Sequence, residues 1–261
     1  MKSSSRMLRL LYFLRIPLAI YLIIVLVFML LERPLVFPAP RAVRSEVDAT
    51  EFGGEDVFFE SADGTRLHGQ YYEHPNSRGQ LLYCHGNGIM VSQLSDYAAW
   101  LRDHYGYSVI VYDYRGYGVS EGKPHQQGVF EDTEAAHDWL IKRSRCAPDD
   151  VVILGRSIGG GLAVHVAAER GARGLVLQNT FASLVETAAQ QYPWLPVRTV
   201  MKTRMVSIDR IGEYQGPLLQ SHGTADRVIR YEDGRKLHDT ANEPKQFFTI
   251  EGGGHLSLIH I

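Results

Sequence analysis

The chain has 261 residues, 45% of them hydrophobic and 21% charged, with a formal net charge of −2. This composition excludes a disordered chain, a collagen and a coiled coil, and the near-neutral charge gives no reason to expect nucleic acid as a partner. The charge is unevenly placed, since residues 1–50 carry seven Lys/Arg against three Asp/Glu and the remainder is mildly acidic.

The first element is apolar. Residues 16–31, IPLAIYLIIVLVFMLL, carry no charge, and the stretch from Leu10 to Leu31 holds a single Arg15. As a helix it would span about 33 Å, near the thickness of a hydrocarbon core. We expect residues 10–31 to be a transmembrane signal anchor, with 1–9 as a cytoplasmic N-terminus. Lys2, Arg6, Arg9 and Arg15 precede the apolar core, which keeps that end in the cytoplasm and carries the rest to the periplasmic, extracytoplasmic or lumenal side. Arg15 lies close enough to one end to snorkel. The rival reading is a cleaved signal peptide. No small-x-small site follows the core, where Pro34, Pro38, Pro40 and Arg41 stand instead. Residues 32–50 read as a short, stiff, Pro-rich linker.

From residue 51 the pattern changes. Asp56–Glu60 and Arg66–Tyr72 flank Asp63-Gly64 and read as a hairpin. Short apolar strands then alternate with longer amphipathic stretches. The strands are Gln80–Cys84, Tyr107–Tyr112, Asp150–Leu154, Gly174–Leu177, Pro217–Ser221 and Gln246–Ile250. The helices are Val91–His104, Gln127–Arg143, Ile158–Arg170 and Tyr231–Asp239. Apolar strands separated by helices predict an α/β fold with a mostly parallel sheet buried on both faces. Its functional groups should lie beyond the C-terminal strand ends. Residues 181–214 lack a strand and contain Pro193, Trp194 and Pro196, which suits a small cap. Trp194, Tyr192 and Leu195 read as cap packing before a lipid-docking wedge.

The strongest chemical signal is Gly155-Arg156-Ser157-Ile158-Gly159, which follows the strand VVIL and opens the helix GGGLAVHVAAER. This strand–turn–helix setting is where G-x-S-x-G has chemical meaning. The serine sits on a sharp turn, so its neighbours two residues away must be small. Glycines in the first helical turn cost about 1 kcal/mol each relative to Ala, which close packing against the sheet offsets. The bland alternative is a helix N-cap serine. A serine nucleophile needs a base and an orienting carboxylate. Asp226, after the strand PLLQS, and His255, in Glu251-Gly252-Gly253-Gly254-His255, supply both types in the order Ser, Asp, His. Asp233 and Asp239 rival Asp226 but fall on the following helix. His222 rivals His255 but is placed to pack at a strand end. An oxyanion needs donors. The backbone N–H groups of Asn87, in Cys84-His85-Gly86-Asn87-Gly88, and of Ile158 are the candidate pair, with Gly88 the alternative to Asn87. His85 is read as bracing this loop.

DGTRLHG, CHGNG, VYDYRGYGVSEG, GRSIGG, HGTADRVI and GGGH, in that order, resemble the α/β-hydrolase superfamily over nearly all of residues 56–255. They are similar in particular to membrane-anchored α/β-hydrolase domain proteins with one N-terminal span and a small cap. The resemblance implies a hydrolase domain over 51–261 and serine-hydrolase activity on carboxylic esters or thioesters. It makes Ser157 the nucleophile, Asp226 the acid and His255 the base. Asp113, Arg115 and Gly116 match a structural turn. Members of the superfamily continue past the His loop into a last helix, whereas six residues, LSLIHI, follow His255 here. Exposed apolar surface and low stability are expected on that account.

No cofactor is expected. No H-E-x-x-H or Cys/His cluster points to a metal, and no phosphate loop occurs. Cys84 and Cys146 are read as free thiols. The expected partners are a small-molecule or lipid-like acyl ester and, through the N-terminal helix, a membrane. The alternatives are a peptidase or amidase of the same fold and a non-catalytic membrane-anchored binding protein.

Overall fold

The computed structural model describes residues 2–42 and 48–255, with side chains from residue 13 onward. The residues after His255, to which the expected lack of a C-terminal helix refers, lie outside the described residues.

The described residues form one eight-stranded sheet. Strands β1 (Glu55–Glu60) and β2 (Arg66–Tyr72) make the expected antiparallel hairpin, with Glu60 opposite Arg66. They are followed by β3 (Gln80–Cys84), β4 (Ser108–Tyr112), β5 (Val151–Arg156), β6 (Gly174–Gln178), β7 (Leu218–Gly223) and β8 (Lys245–Ile250). The spatial order is β1-β2-β4-β3-β5-β6-β7-β8, and every pairing from β4 onward is parallel. Alternation divides the strands between two cores. Leu82, Ile110, Tyr112 and Ile153 face one cluster, and Leu81, Tyr83, Val109, Val111 and Leu154 the other. Helices α3 (Gln126–Ser144) and α4 (Ile158–Arg170) close the first face, and α2 (Ser95–Tyr105) the second.

Most element boundaries differ from the sequence reading by one or two residues, and the start of α2 by four. Strand β5 continues through Gly155 and Arg156, which pair with Leu177 and Gln178. Helix α2 begins at Ser95, because the Val91 N–H is held by Asp113 Oδ1 at 2.9 Å and Val91–Gln93 forms a separate 3₁₀ turn. The Asp113–Gly118 turn is structural, as expected. Arg115 is buried and makes a two-nitrogen ion pair with Asp132, and Asp63 and Ser61 hold its far end.

Between β6 and β7, in the stretch expected to be a cap, lie α5 (Leu184–Gln191), α6 (Val197–Val200) and two 3₁₀ turns. Helix α7 (Tyr231–Thr240) follows β7.

The N-terminal helix α1 runs from Lys2 to Val36. Its stretch Phe13–Val36 has the length and composition of a membrane span, and most of that surface is exposed. Its C-terminal part is docked. Val25 packs with Val185, Ala189, Leu195 and Val197 of the cap. Tyr21 donates to the Trp194 carbonyl at 3.0 Å. The Glu32 carboxylate accepts from the backbone N–H groups of Lys202 (3.0 Å) and Thr203 (2.7 Å). The stretch read as a linker from residue 32 therefore begins in helix and in contact with the residues between β6 and β7. Helix continues to Val36, Phe37 enters the main core, and Gly118 N–H donates to the Pro40 carbonyl at 2.8 Å. Burial of the Phe37 ring outweighs the separation that a Pro-rich run favours.

Candidate active site

Strand β5 delivers Ser157 at its C-terminal end, and α4 starts at the next residue. Ser157 has φ 53° and ψ −122°, a conformation that L-residues rarely adopt and that persists where the surroundings enforce it. The enforcement is visible. A Cβ on Gly159 would overlap the carbonyl oxygens of Cys84 and His85, and one on Gly160 would overlap the Thr180 side chain. The Thr180 hydroxyl also donates to the Ser157 carbonyl at 2.7 Å. These close approaches are the packing that offsets glycine's helical cost. Ser157 occupies the N-cap position of α4, but its hydroxyl makes no capping bond to the helix.

The hydroxyl faces His255 instead. Ser157 Oγ lies 3.0 Å from His255 Nε2, and His255 Nδ1 lies 2.7 Å from Asp226 Oδ2. The three side chains come from the loops after β5, β7 and β8. With the carboxylate accepting from the ring N–H at Nδ1, the Nε2 lone pair faces the Ser157 hydroxyl. Burial of Asp226 opposes its ionisation, but hydrogen bonds from His222, His255 and the Ile229 N–H outweigh it and hold its pKa well below the ordinary carboxylate range. The other Asp226 oxygen accepts from the Val228 and Ile229 N–H groups at 2.8 and 3.0 Å.

Of the rivals, His222 also contacts Asp226, with Nε2 3.5 Å from Oδ2. His222 is buried at the end of β7, within 2.9 Å of the Ile229 carbonyl. Asp233 and Asp239 lie on α7. His85 is buried, stacks on Tyr114 with ring centroids 4.3 Å apart, and bonds its own loop at the Gly86 carbonyl.

The 85–88 loop borders Ser157, since a Cβ at Gly86 would lie 3.7 Å from the Ser157 Cβ. Asn87 is pinned by two side-chain bonds, donating to the Val36 carbonyl and accepting from Tyr117 Oη, each at 2.6 Å. Ile158 opens α4, so its N–H is one of those a helix leaves without an internal acceptor. Asn87 and Ile158 border the same cavity as Ser157 and His255.

That cavity measures about 400 Å³, within the ~300–1,000 Å³ usual for small-molecule sites. Most of its wall is apolar, from α1, the cap and Val228-Ile229. Among the described residues that line it, Glu32 is the one carboxylate, and both its oxygens are occupied by cap N–H groups.

Sequence reasoning missed Asn179. It follows β6, is fully buried, and has φ 45°. Its Nδ2 donates to the carbonyls of His255 (2.9 Å) and Gly254 (3.3 Å), while its Oδ1 accepts from Gly223 N–H at 3.0 Å. One side chain thus ties the Asp226 loop to the His255 loop. The available signal was an Asn directly after a strand, a residue type that tolerates left-handed backbone.

A sequence model of the family described as "Serine aminopeptidase, S33" matches residues 75–210. An uncharacterized protein of Mycobacterium tuberculosis is 36% identical over 226 residues, covering 86% of this chain and 80% of its own length. Human alpha/beta hydrolase domain-containing protein 17B is 33% identical over 183 residues, covering 69% and 62% respectively. An esterase of Pyrococcus furiosus superposes with a TM-score of 0.67 at 18% identity, covering 84% of this chain and 92% of its own, a likeness of fold. The elbow, the strand order and these matches agree: the chain belongs to that family and, with it, to the α/β-hydrolase superfamily.

Proposed function

We propose that this protein is a membrane-anchored serine hydrolase that cleaves carboxylic esters or thioesters through an acyl-enzyme. The observation that carries the reading is the continuous relay from Asp226 through His255 to Ser157 Oγ, with links of 2.7 and 3.0 Å. His255 takes the serine proton as Oγ attacks the carbonyl carbon. The N–H groups of Asn87 and Ile158 receive the oxyanion. His255 then protonates the leaving oxygen or sulfur and later activates the water that frees the acid. Helix α1 is the anchor, with its basic N-terminal end in the cytoplasm and the hydrolase domain on the opposite side.

The family description favours a second reading, an aminopeptidase. Such an enzyme must pair the substrate's ammonium group with a carboxylate. The cavity's Glu32 is already bonded to Lys202 and Thr203, so the ester reading stands ahead. Matched p-nitrophenyl butyrate and butyryl p-nitroanilide, with an aminoacyl p-nitroanilide alongside, test the choice. The ester should lead in kcat/KM by at least ~100-fold, about 2.7 kcal/mol of barrier. Parity or an amide lead would transfer the assignment to the peptidase.

Asn179 acts on this reaction as a positioning residue. Asn179→Ala should lower kcat about 10- to 100-fold with a small change in KM, because an error of ~1 Å in the His loop is felt at the proton transfer and not in substrate binding. A change in KM alone would reject the assignment.

A further inference from the structure

The face of α1 turned toward the domain is Val25, Phe28, Met29, Glu32, Leu35 and Val36, at helical spacings of three and four. All six border the cavity that holds Ser157 and His255. Val25 is buried and Phe28, Glu32 and Val36 are half-buried, Met29 and Leu35 keep 38% and 54% of their surface, and Ile23, Leu26 and Leu30 on the other side keep 53–72%. One helix segment therefore has one apolar side against the active-site cavity and the other against its surroundings.

The level of the cavity along α1 follows from the helical rise. Val25 to Val36 covers about 16 Å of axis, within the stretch Phe13–Val36 that suits a bilayer. The cap rim lies beside this stretch. Tyr192 and Trp194 set their rings 5.9 Å from that of Phe28, and Trp194 remains 52% exposed. Tyr and Trp beside an apolar helix are the residue types enriched at membrane–water interfaces. Leu195, by contrast, is buried in the cap, as the packing reading expected.

We propose that α1 is a wall of the substrate pocket as well as an anchor, and that the enzyme takes long-chain acyl esters or thioesters resident in the bilayer. The tail lies between α1 and α5, with its carbonyl at Ser157. The inference rests on Ser157 being the nucleophile and names the substrate class for that site. Turnover forms the Ser157 Oγ–acyl bond and breaks the acyl–oxygen or acyl–sulfur bond. The serine proton passes through His255 to the leaving atom. One water then releases the fatty acid and restores the serine. Three features support a tail in this space. The walls facing α1 are mostly apolar, with Leu184, Ala188 and Val197 among them and Thr187 and Gln191 as polar members. Both oxygens of the cavity's carboxylate accept from backbone N–H groups of the cap. The α1 wall is continuous with the face that would meet lipid.

The test uses the full chain reconstituted in phosphatidylcholine vesicles, with p-nitrophenyl acetate, butyrate, octanoate and dodecanoate as probes. In the wild type kcat/KM should rise with length, by up to about fourfold per buried methylene, and exceed the acetate value at least tenfold by dodecanoate. Met29→Trp and Leu35→Trp fill the α1 side of the cavity and should each cut the dodecanoate-to-acetate ratio at least tenfold. Leu26→Trp puts the same ring on the exposed side and should leave the ratio unchanged. Thermal unfolding checks that each variant is folded. Two folded wall variants that keep the wild-type ratio would overturn the proposal. At fixed total dodecanoate, dilution with phospholipid should lower the rate in proportion to its bilayer mole fraction. A rate that follows bulk concentration instead would reject the bilayer as source. Absent fluorophosphonate labelling together with absent acetate hydrolysis would mark failure of the serine-hydrolase reading itself, and this inference would fall with it.

Discussion

Ser157→Ala should lower kcat on p-nitrophenyl butyrate by about 10⁴- to 10⁶-fold and abolish labelling by a fluorophosphonate, while the protein stays folded. The expected size follows from serine hydrolases in general, where removing the nucleophile leaves only binding and oxyanion stabilisation over the reaction in water. The structure explains why folding should survive. Ser157 makes no capping bond to α4, and its positive φ is no worse for alanine than for serine. The neighbouring constraints are backbone and glycine contacts that the substitution leaves in place. A thermal midpoint within a few degrees of wild type, with labelling gone, is the expected pair of results. Undiminished labelling in this variant would end the assignment of Ser157 as nucleophile.

The largest stability effect is expected at Gly159. Its added methyl would meet the carbonyl oxygens of Cys84 and His85 and the Cys84 carbonyl carbon. These are backbone atoms at the end of β3, which is hydrogen-bonded to β4 on one side and β5 on the other. No rotamer relieves such a contact, so either the strand or α4 must move. Gly159→Ala should therefore cost at least ~3 kcal/mol, in the upper range for overpacking, and lower the urea midpoint with little change in slope. Gly212→Ala is the control, because nothing lies within 4 Å of its added Cβ. It should stay within about 0.5 kcal/mol of wild type. Equal stabilities for the two variants would mean that α4 does not pack on β3 as described.

The strand–turn–helix setting of Ser157 can be read from sequence because its determinants are local. A strand, a tight turn and a helix with small residues at fixed offsets lie within a few positions of Ser157. The same holds for Asp226 and His255, each of which follows a short strand in a loop of small and polar residues. Strand alternation and chain order were enough to place these side chains on one rim of the sheet. The boundary that differs most is one set by a distant partner. The start of α2 depends on an Asp113 carboxylate 22 residues downstream of Val91.

The sequence by itself determined the α/β architecture, the apolar length of α1 and the three residue types in their order, since each rests on periodicity or on near-neighbour chemistry. Tertiary structure alone decided which side of α1 is a wall. A helix apolar all round carries no periodic mark of its packed face, and Val25, Met29 and Leu35 look like Leu26 and Leu30 until the cap is set against them. It also decided that Glu32 is satisfied by the cap and that Asn179 ties two loops together. Those contacts join residues far apart in the chain, where distance in space and not spacing in sequence sets the interaction.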